Sequence, residues 1–200
     1  MPLNVVKPQF LVFRSKKERL LKQKGLVVWL TGLSGAGKST IAVHLEKRLN
    51  TVGVFTKMLD GDDLRYGINS DLDFSERSRL ENIRRISEIA KLDAHAGVVS
   101  IVSAITPKEH MRALARKIIG KADFLLAYVD CPIEICEQRD VKGLYKKART
   151  GEVKNFTGIS SGYEMPTEES INIRLTTYNH SLEECVNTLF DLTYKRIKQD

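Results

Sequence analysis

The stretch Gly32-Leu33-Ser34-Gly35-Ala36-Gly37-Lys38-Ser39-Thr40 restricts this chain to a small set of folds. It satisfies G-x-x-x-x-G-K-[ST], and its flanks matter as much as its letters. Before it runs Leu26-Val27-Val28-Trp29-Leu30, which reads as a buried strand. After it, Ile41, Ala42, Leu45 and Leu49 fall on one face of a helix. In that order, strand, glycine loop and helix form a phosphate cradle. The glycines let successive backbone N–H groups turn inward on a phosphate chain, and the helix adds the positive end of its dipole at the same point. Lys38 then reaches the β- and γ-phosphates of a nucleoside triphosphate, and Ser39 holds the Mg2+ that bridges them. The expected nucleotide-binding residues are Gly32, Ser34, Gly35, Ala36, Gly37, Lys38, Ser39 and Thr40, with Ser39 as metal ligand and Lys38 also catalytic. A glycine-rich turn that binds nothing would not need every motif position filled and both flanks correct.

Four further apolar runs, at 54–59, 98–105, 124–129 and 171–175, read as buried strands alternating with helical patterns at about 38–50, 76–96, 107–119, 132–139 and 181–198. Gly97 stands where a helix C-cap belongs, and Thr106-Pro107-Lys108-Glu109 fits a capping box with proline at N1. This alternation predicts a three-layer α/β fold of the P-loop NTPase type, with a mainly parallel five-stranded sheet and ligands at the carboxyl ends of its strands. Residues 1–25 read as a basic N-terminal arm containing a short helix around Leu20 and Leu21, and residues 26–200 as a single domain. Residues 140–168 show no clear core pattern. A stretch of that length inside a compact domain reads as a lid.

Composition narrows the partners. Thirty-two basic against 25 acidic residues give a net charge of +7, which calls for a polyanion, either nucleic acid or a small phosphorylated substrate. No apolar run approaches the ~20 residues of a membrane span, and Phe10-Leu11-Val12-Phe13 is too short for a signal peptide core. Cys131, Cys136 and Cys185 form neither a disulfide framework nor a zinc pattern, so a reducing cytoplasm is expected. His44, His95, His110 and His180 lack metal-ligand spacing and read as surface or core fillers.

Phosphoryl transfer also needs a carboxylate near the metal and the acceptor. The strand at 98–105 carries none at its end, whereas Leu59-Asp60-Gly61-Asp62-Asp63 stands where the second strand ends. Asp62 is then the group that orients or deprotonates an acceptor hydroxyl, with Asp60 supporting it or the metal's water shell and Gly61 allowing a sharp turn. A turn with a helix N-cap would serve the same residues equally well. Further on, Ser75 is a plausible N-cap, and Leu80, Ile83, Ile86 and Ala90 make a core-facing stripe. Arg79 and Asn82 share another face. The four arginines between 77 and 85, following Phe74, suit an acidic substrate carrying an aromatic base; an ordinary charged helix face would have the same composition.

From about Arg14 to the C-terminus, the chain closely resembles the adenylylsulfate kinases of sulfate assimilation. The resemblance is carried by Trp29 through Thr40, Leu59-Asp60-Gly61-Asp62 and Glu81-Asn82-Ile83-Arg84-Arg85. Two more specific segments add to it: Arg139-Asp140-Val141-Lys142-Gly143-Leu144-Tyr145-Lys146-Lys147-Ala148-Arg149, and Asn155-Phe156-Thr157-Gly158-Ile159 through Tyr163-Glu164-Met165-Pro166. It implies transfer of the ATP γ-phosphoryl group to the 3′-hydroxyl of adenosine 5′-phosphosulfate, giving 3′-phosphoadenosine 5′-phosphosulfate and ADP. Phe74 and Phe156 match the pair that sandwiches the substrate adenine. Arg65, Arg79 and Asn82 match the groups that grip phosphosulfate and ribose, with Asp62, Ile105, Thr106 and Leu144 completing the acceptor pocket. The lid falls at about 139–165, its ATP-covering part at 139–158, with Arg139 against the nucleotide and Lys142 near the phosphates. Members of this family are usually homodimers.

The chain departs from the family pattern at Ser78 (usually Asp), at Asp63 (often Asn) and at Thr106 (usually Ser). The Ser78 change removes a carboxylate partner for Arg79. The serine at position 106 is sometimes named as a phosphorylated intermediate; for Thr106 the capping role is favoured, because in-line transfer needs no covalent step. The alternatives are a catalytically silent nucleotide-binding regulatory relative, which damage to Lys38, Ser39 or Asp62 would have marked, and a basic nucleic-acid binder, which needs a surface stripe and a binding motif.

Overall fold

A computed structural model of the chain describes residues 12–198. Five parallel strands, β1 (Leu26–Thr31), β2 (Thr56–Asp60), β3 (Val99–Ser103), β4 (Phe124–Asp130) and β5 (Ile173–Thr176), form one sheet in the order β2-β3-β1-β4-β5. Among the described residues, eight α-helices surround it: α1 (Arg14–Leu21), α2 (Lys38–Thr51), α3 (Gly61–Tyr66), α4 (Glu76–His95), α5 (Glu109–Ile119), α6 (Ile133–Arg139), α7 (Leu144–Arg149) and α8 (Leu182–Ile197).

The continuous apolar run of β1 follows from its position. It lies between β3 and β4, so both of its faces are covered, and its alternate side chains enter two separate cores. Val28 and Leu30 join Ile41, Leu45 and Leu49 of α2 and Leu189 of α8; Val27 and Trp29 join Ile83 and Ile86 of α4 and Met111 of α5. The expected three layers and five strands are therefore present. At the edges, β2 and β5 are only half-buried rather than buried throughout, because each has a sheet neighbour on one side alone.

Several local expectations are corrected. The helix expected from 107 begins at Glu109, and Thr106 does not cap it: Thr106 has φ +45°, its hydroxyl accepts from Trp29 Nε1 at 2.9 Å, and it is almost fully buried. The cap comes from 55 residues away, where the Glu164 carboxylate accepts from Glu109 N at 2.8 Å. Gly61 does not form a sharp turn but opens α3, where its missing side chain admits the Ser103 carbonyl to 3.3 Å from the Cβ position. The stretch at 140–168 is not patternless: it contains α7 and buries Tyr145, Ala148, Phe156 and Thr157. Gly97 does end α4 with positive φ, and Ser75 does cap its start.

The basic segment before β1 is docked on the body in the part described. Arg14 bonds both carboxylate oxygens of Asp123 and the Gly25 carbonyl, and Gln23 reaches Phe55 and Gly97. The rest of the expected arm, residues 1–11, lies outside the described residues. All four histidines are on the surface. Among the described residues, no helix is long and apolar enough to cross a membrane, and no three His, Cys, Asp or Glu side chains gather as a metal site.

Candidate active site

The loop from Gly32 to Gly37 leaves the end of β1 and enters α2, with Gly35 and Gly37 at φ +75° and +102°, a region closed to most side chains. Each carbonyl from Leu33 to Ala36 accepts a side-chain hydrogen bond. Lys38 Nζ donates to Leu33 O at 2.7 Å and Tyr145 Oη to Ser34 O at 2.8 Å. Arg139 donates to Gly35 O at 3.4 Å, and Thr177 Oγ1 to Ala36 O at 2.9 Å. Carbonyls held in this way keep the loop's conformation fixed and leave its amides, other than those of Gly32 and Ala36, to an anion.

Lys38 is buried, and that burial lowers its pKa from 10.5 to about 8 even though Asp60 and Asp62 pull the other way. Ser39 begins an oxygen cluster at the strand ends, its hydroxyl donating to Asp60 Oδ2 at 2.8 Å and lying 3.0 Å from Ser103 Oγ. Asp60 ends β2 and Ser103 ends β3, two neighbouring strands in the sheet. One carboxylate and two hydroxyls suit a hard cation that keeps most of its shell as water and phosphate oxygen. Asp60 also caps α3, accepting from Asp62 N at 2.9 Å, so the capping and functional readings of this segment hold together.

Asp62 is exposed, and its carboxylate accepts from Lys142 Nζ, a partner 80 residues away at the start of the lid. That bond is the main reason the Lys142 pKa is raised. Asp140 holds the next turn: it accepts from Tyr145 N and Lys146 N and so caps α7. Arg139 binds the Thr177 carbonyl and hydroxyl as well as the loop at Gly35.

On the other wall, Phe74 is a little over half exposed at the start of α4, with the Arg65 guanidinium 4.3 Å from its ring centre and that of Arg79 5.8 Å away. Arg79, which lacks a carboxylate partner, instead donates to three oxygens: the carbonyls of Phe74 and Asn155 and the Thr157 hydroxyl. It thus bridges the chain beside Phe74 to the chain beside Phe156. Burial lowers the pKa of both Arg65 and Arg79. Phe156 is nearly buried, in edge contact with Tyr145 at 4.9 Å and 76°. Asn82 is buried against Asn69, whose side-chain N–H donates to Asn82 Oδ1 at 2.8 Å. Gly158, at φ +90°, lets this strap lie against Ile133 and Leu33, since a Cβ there would meet Ile133 Cδ1 at 2.9 Å. Two other arginines of the 77–85 group belong to the charged-face reading: Arg84 pairs with Glu81, and Arg85 with Glu81 and Asp71.

One cavity of about 770 Å³ joins all of this. Lys38, Ser39, Asp60, Asp62, Arg65, Phe74, Arg79, Asn82, Ile105, Thr106, Arg139, Lys142, Leu144 and Phe156 all line it, as do Ser34, Gly35, Gly37 and Thr40. Of the expected site residues, Gly32 and Ala36 do not line it: both are buried. Thr106 contributes with its hydroxyl already engaged. Tyr145, Thr177, Ser103 and Asn155 also line the cavity, though none was among the expected site residues; Tyr145 and Asn155 lie in the segments that carry the family resemblance, whereas no motif marks Thr177 or Ser103.

Comparison with known proteins agrees with this geometry. A family model described as adenylylsulphate kinase matches residues 24–174. An adenylyl-sulfate kinase of Clostridium acetobutylicum is 54% identical over 188 residues, covering 94% of this chain and 92% of that protein. One of Bacteroides fragilis is 50% identical over 186 residues, covering 93% of this chain and 91% of that protein. The structure of the Mycobacterium tuberculosis APS kinase CysC in complex with AMPPNP and APS superposes with a TM-score of 0.81 at 46% identity, covering 84% of this chain and 97% of that one.

Proposed function

The chain belongs to the adenylylsulphate kinase family, and from that premise we infer that it transfers the γ-phosphoryl group of ATP to the 3′-hydroxyl of adenosine 5′-phosphosulfate. The observation that carries this reading is the cavity in which a phosphate cradle, a carboxylate at the strand ends and two phenylalanines all meet.

Each residue has a role in the transfer. The loop amides and Lys38 hold the β- and γ-phosphates. Phe74 and Phe156 hold the acceptor's purine by stacking, worth ~1–3 kcal/mol per base. Arg65, Arg79 and Asn82 bind the phosphosulfate and ribose, guanidinium forks matching its oxygens. Ile105 and Leu144 close the pocket. Asp62 accepts the proton of the 3′-hydroxyl while that oxygen bonds to the γ-phosphorus in line with the breaking bond to the β-phosphate oxygen, and ADP leaves. Ser39, with Asp60 and Ser103 behind it, would hold Mg2+, which when bound neutralises charge on the phosphate oxygens. Lys142 pairs with Asp62 across the mouth of the lid. An arriving triphosphate offers Lys142 a stronger anion, frees the carboxylate for the acceptor and draws the lid shut against water.

No observation favours a silent regulatory relative, since Lys38, Ser39 and Asp62 are all present in the cavity. We place the protein in the cytoplasm, supported by three buried, unpaired cysteines, and read it as a homodimer on the family resemblance; light scattering tests the latter. The function itself is tested by incubating purified protein with MgATP and adenosine 5′-phosphosulfate and identifying the product by mass spectrometry. The expected product is the 3′-phosphorylated nucleotide in step with ADP. Release of ADP and free phosphate without it would refute the assignment.

A further inference from the structure

We propose that Tyr145 is a positioning residue that serves both halves of the reaction, its hydroxyl fixing the donor's phosphate cradle and its ring fixing the acceptor's aromatic platform. The proposal rests on the function inferred above and extends it to a residue that touches neither reacting group.

Tyr145 is 3% exposed although its neighbours Lys146 and Lys147 are on the surface, so the lid turns one large side chain inward. Its Oη donates to the Ser34 carbonyl at 2.8 Å. Its ring meets Phe156 in an edge contact, with centroids 4.9 Å apart and planes at 76°, a favoured geometry for an aromatic pair. Its backbone N–H donates to Asp140 Oδ1 at 3.0 Å, which fixes where the side chain starts. Burial raises the phenol pKa, so the hydroxyl keeps its proton and remains a donor throughout the neutral range.

The other donors to the loop carbonyls at 33–36 are Lys38, Arg139 and Thr177. None of them is paired with an aromatic ring of the acceptor wall among the described contacts. Tyr145 alone joins the two walls through a single rigid group. A loop carbonyl held from outside keeps its neighbouring amides aimed at phosphate, and a ring packed against a second ring keeps the orientation in which it meets a purine. Because the two contacts use different parts of the side chain, they can be separated.

The test compares wild type, Tyr145→Phe and Tyr145→Leu by calorimetric Kd for MgADP and for adenosine 5′-phosphosulfate, and by KM for ATP and for the acceptor. Tyr145→Phe keeps the ring and loses one hydrogen bond; it should weaken MgADP binding and raise the KM for ATP roughly three- to tenfold, with acceptor values within about twofold of wild type. Tyr145→Leu should match Tyr145→Phe on the donor side and weaken acceptor binding about fivefold further. The proposal is overturned if Tyr145→Phe leaves the donor values unchanged, or shifts donor and acceptor values together as a generally loosened lid would. Should Tyr145→Leu fail to fold, Tyr145→Phe still decides between these outcomes. A wild type that never phosphorylates the acceptor refutes the inferred function instead, whereas an active wild type without the split refutes the role of Tyr145.

Discussion

At the scale of single residues, the proposed transfer rests on two side chains, Asp62 and Lys38, and each makes its own prediction. Asp62 is engaged by Lys142 and not by any fixed structural group other than the lid, so replacing it should affect transfer more than binding. Asp62→Asn is expected to lower kcat by about a hundredfold or more while the Kd for ATP changes less than about threefold. Steady-state kinetics beside equilibrium binding measures both, and a near-native kcat would remove Asp62 from the role of base. Lys38 is expected to give the free enzyme a pH limit. Its pKa is lowered to about 8, chiefly by burial, so the amine is protonated and able to bind phosphate below that pH and becomes neutral above it. kcat/KM for ATP, which reports the free enzyme, should therefore fall as pH rises through about 8, while kcat at saturating ATP holds to higher pH because bound phosphate favours the charged amine. A kcat/KM profile flat to pH 10 would contradict this. The letters of the cradle and of Asp60-Gly61-Asp62 were legible because local spacing alone defines them. The Asp62–Lys142 pair was not, since 80 residues separate its members.

At the scale of elements, strands were legible in proportion to their burial. The run of β1, covered on both faces, stands out, whereas β2 and β5 were each displaced by about two residues because edge strands mix exposed and buried positions. The capping reading of Thr106 failed for a related reason. Its sequence matches a capping box, but Trp29 Nε1 takes the hydroxyl into the core and Glu164 caps the helix from the lid side. Helix α7 was hidden because its signal is two buried positions in six residues. The acceptor wall is built from two elements, α4 and the strap at 155–158, which Arg79 ties together. Phe74 stands just before the first of them, more than half exposed, so its loss costs little packing. Phe74→Ala should raise the KM for adenosine 5′-phosphosulfate about ten- to a hundredfold, the loss of one stacking partner, with the KM for ATP within about twofold. Equal losses at both substrates would move Phe74 out of the acceptor pocket.

At the scale of the whole molecule, the +7 charge divides between the site and its surface. Arg65, Arg79, Arg139 and Lys142 line the cavity, while Arg84, Arg85 and Arg149 make ion pairs with neighbouring carboxylates. Composition could report the excess of positive charge but not this division. The basic segment before β1 likewise read as a solvated arm, yet Arg14 fastens α1 to Asp123 at the opposite end of the sheet from the cavity-lining loops. Arg14→Ala should therefore lower the melting temperature by about 2–4 °C, as expected for a loss near 1 kcal/mol in a domain of this size, and leave both KM values unchanged. Calorimetry beside steady-state kinetics checks this, and altered kinetics would mean that α1 communicates with the site. The inferred transfer depends on the geometry of the whole cavity, which a crystal structure with a non-hydrolysable ATP analogue and adenosine 5′-phosphosulfate bound together would reveal. In that complex the acceptor's 3′-hydroxyl is expected within hydrogen-bonding distance of the Asp62 carboxylate and its purine between Phe74 and Phe156. A ribose remote from Asp62, or a purine touching neither ring, would contradict it.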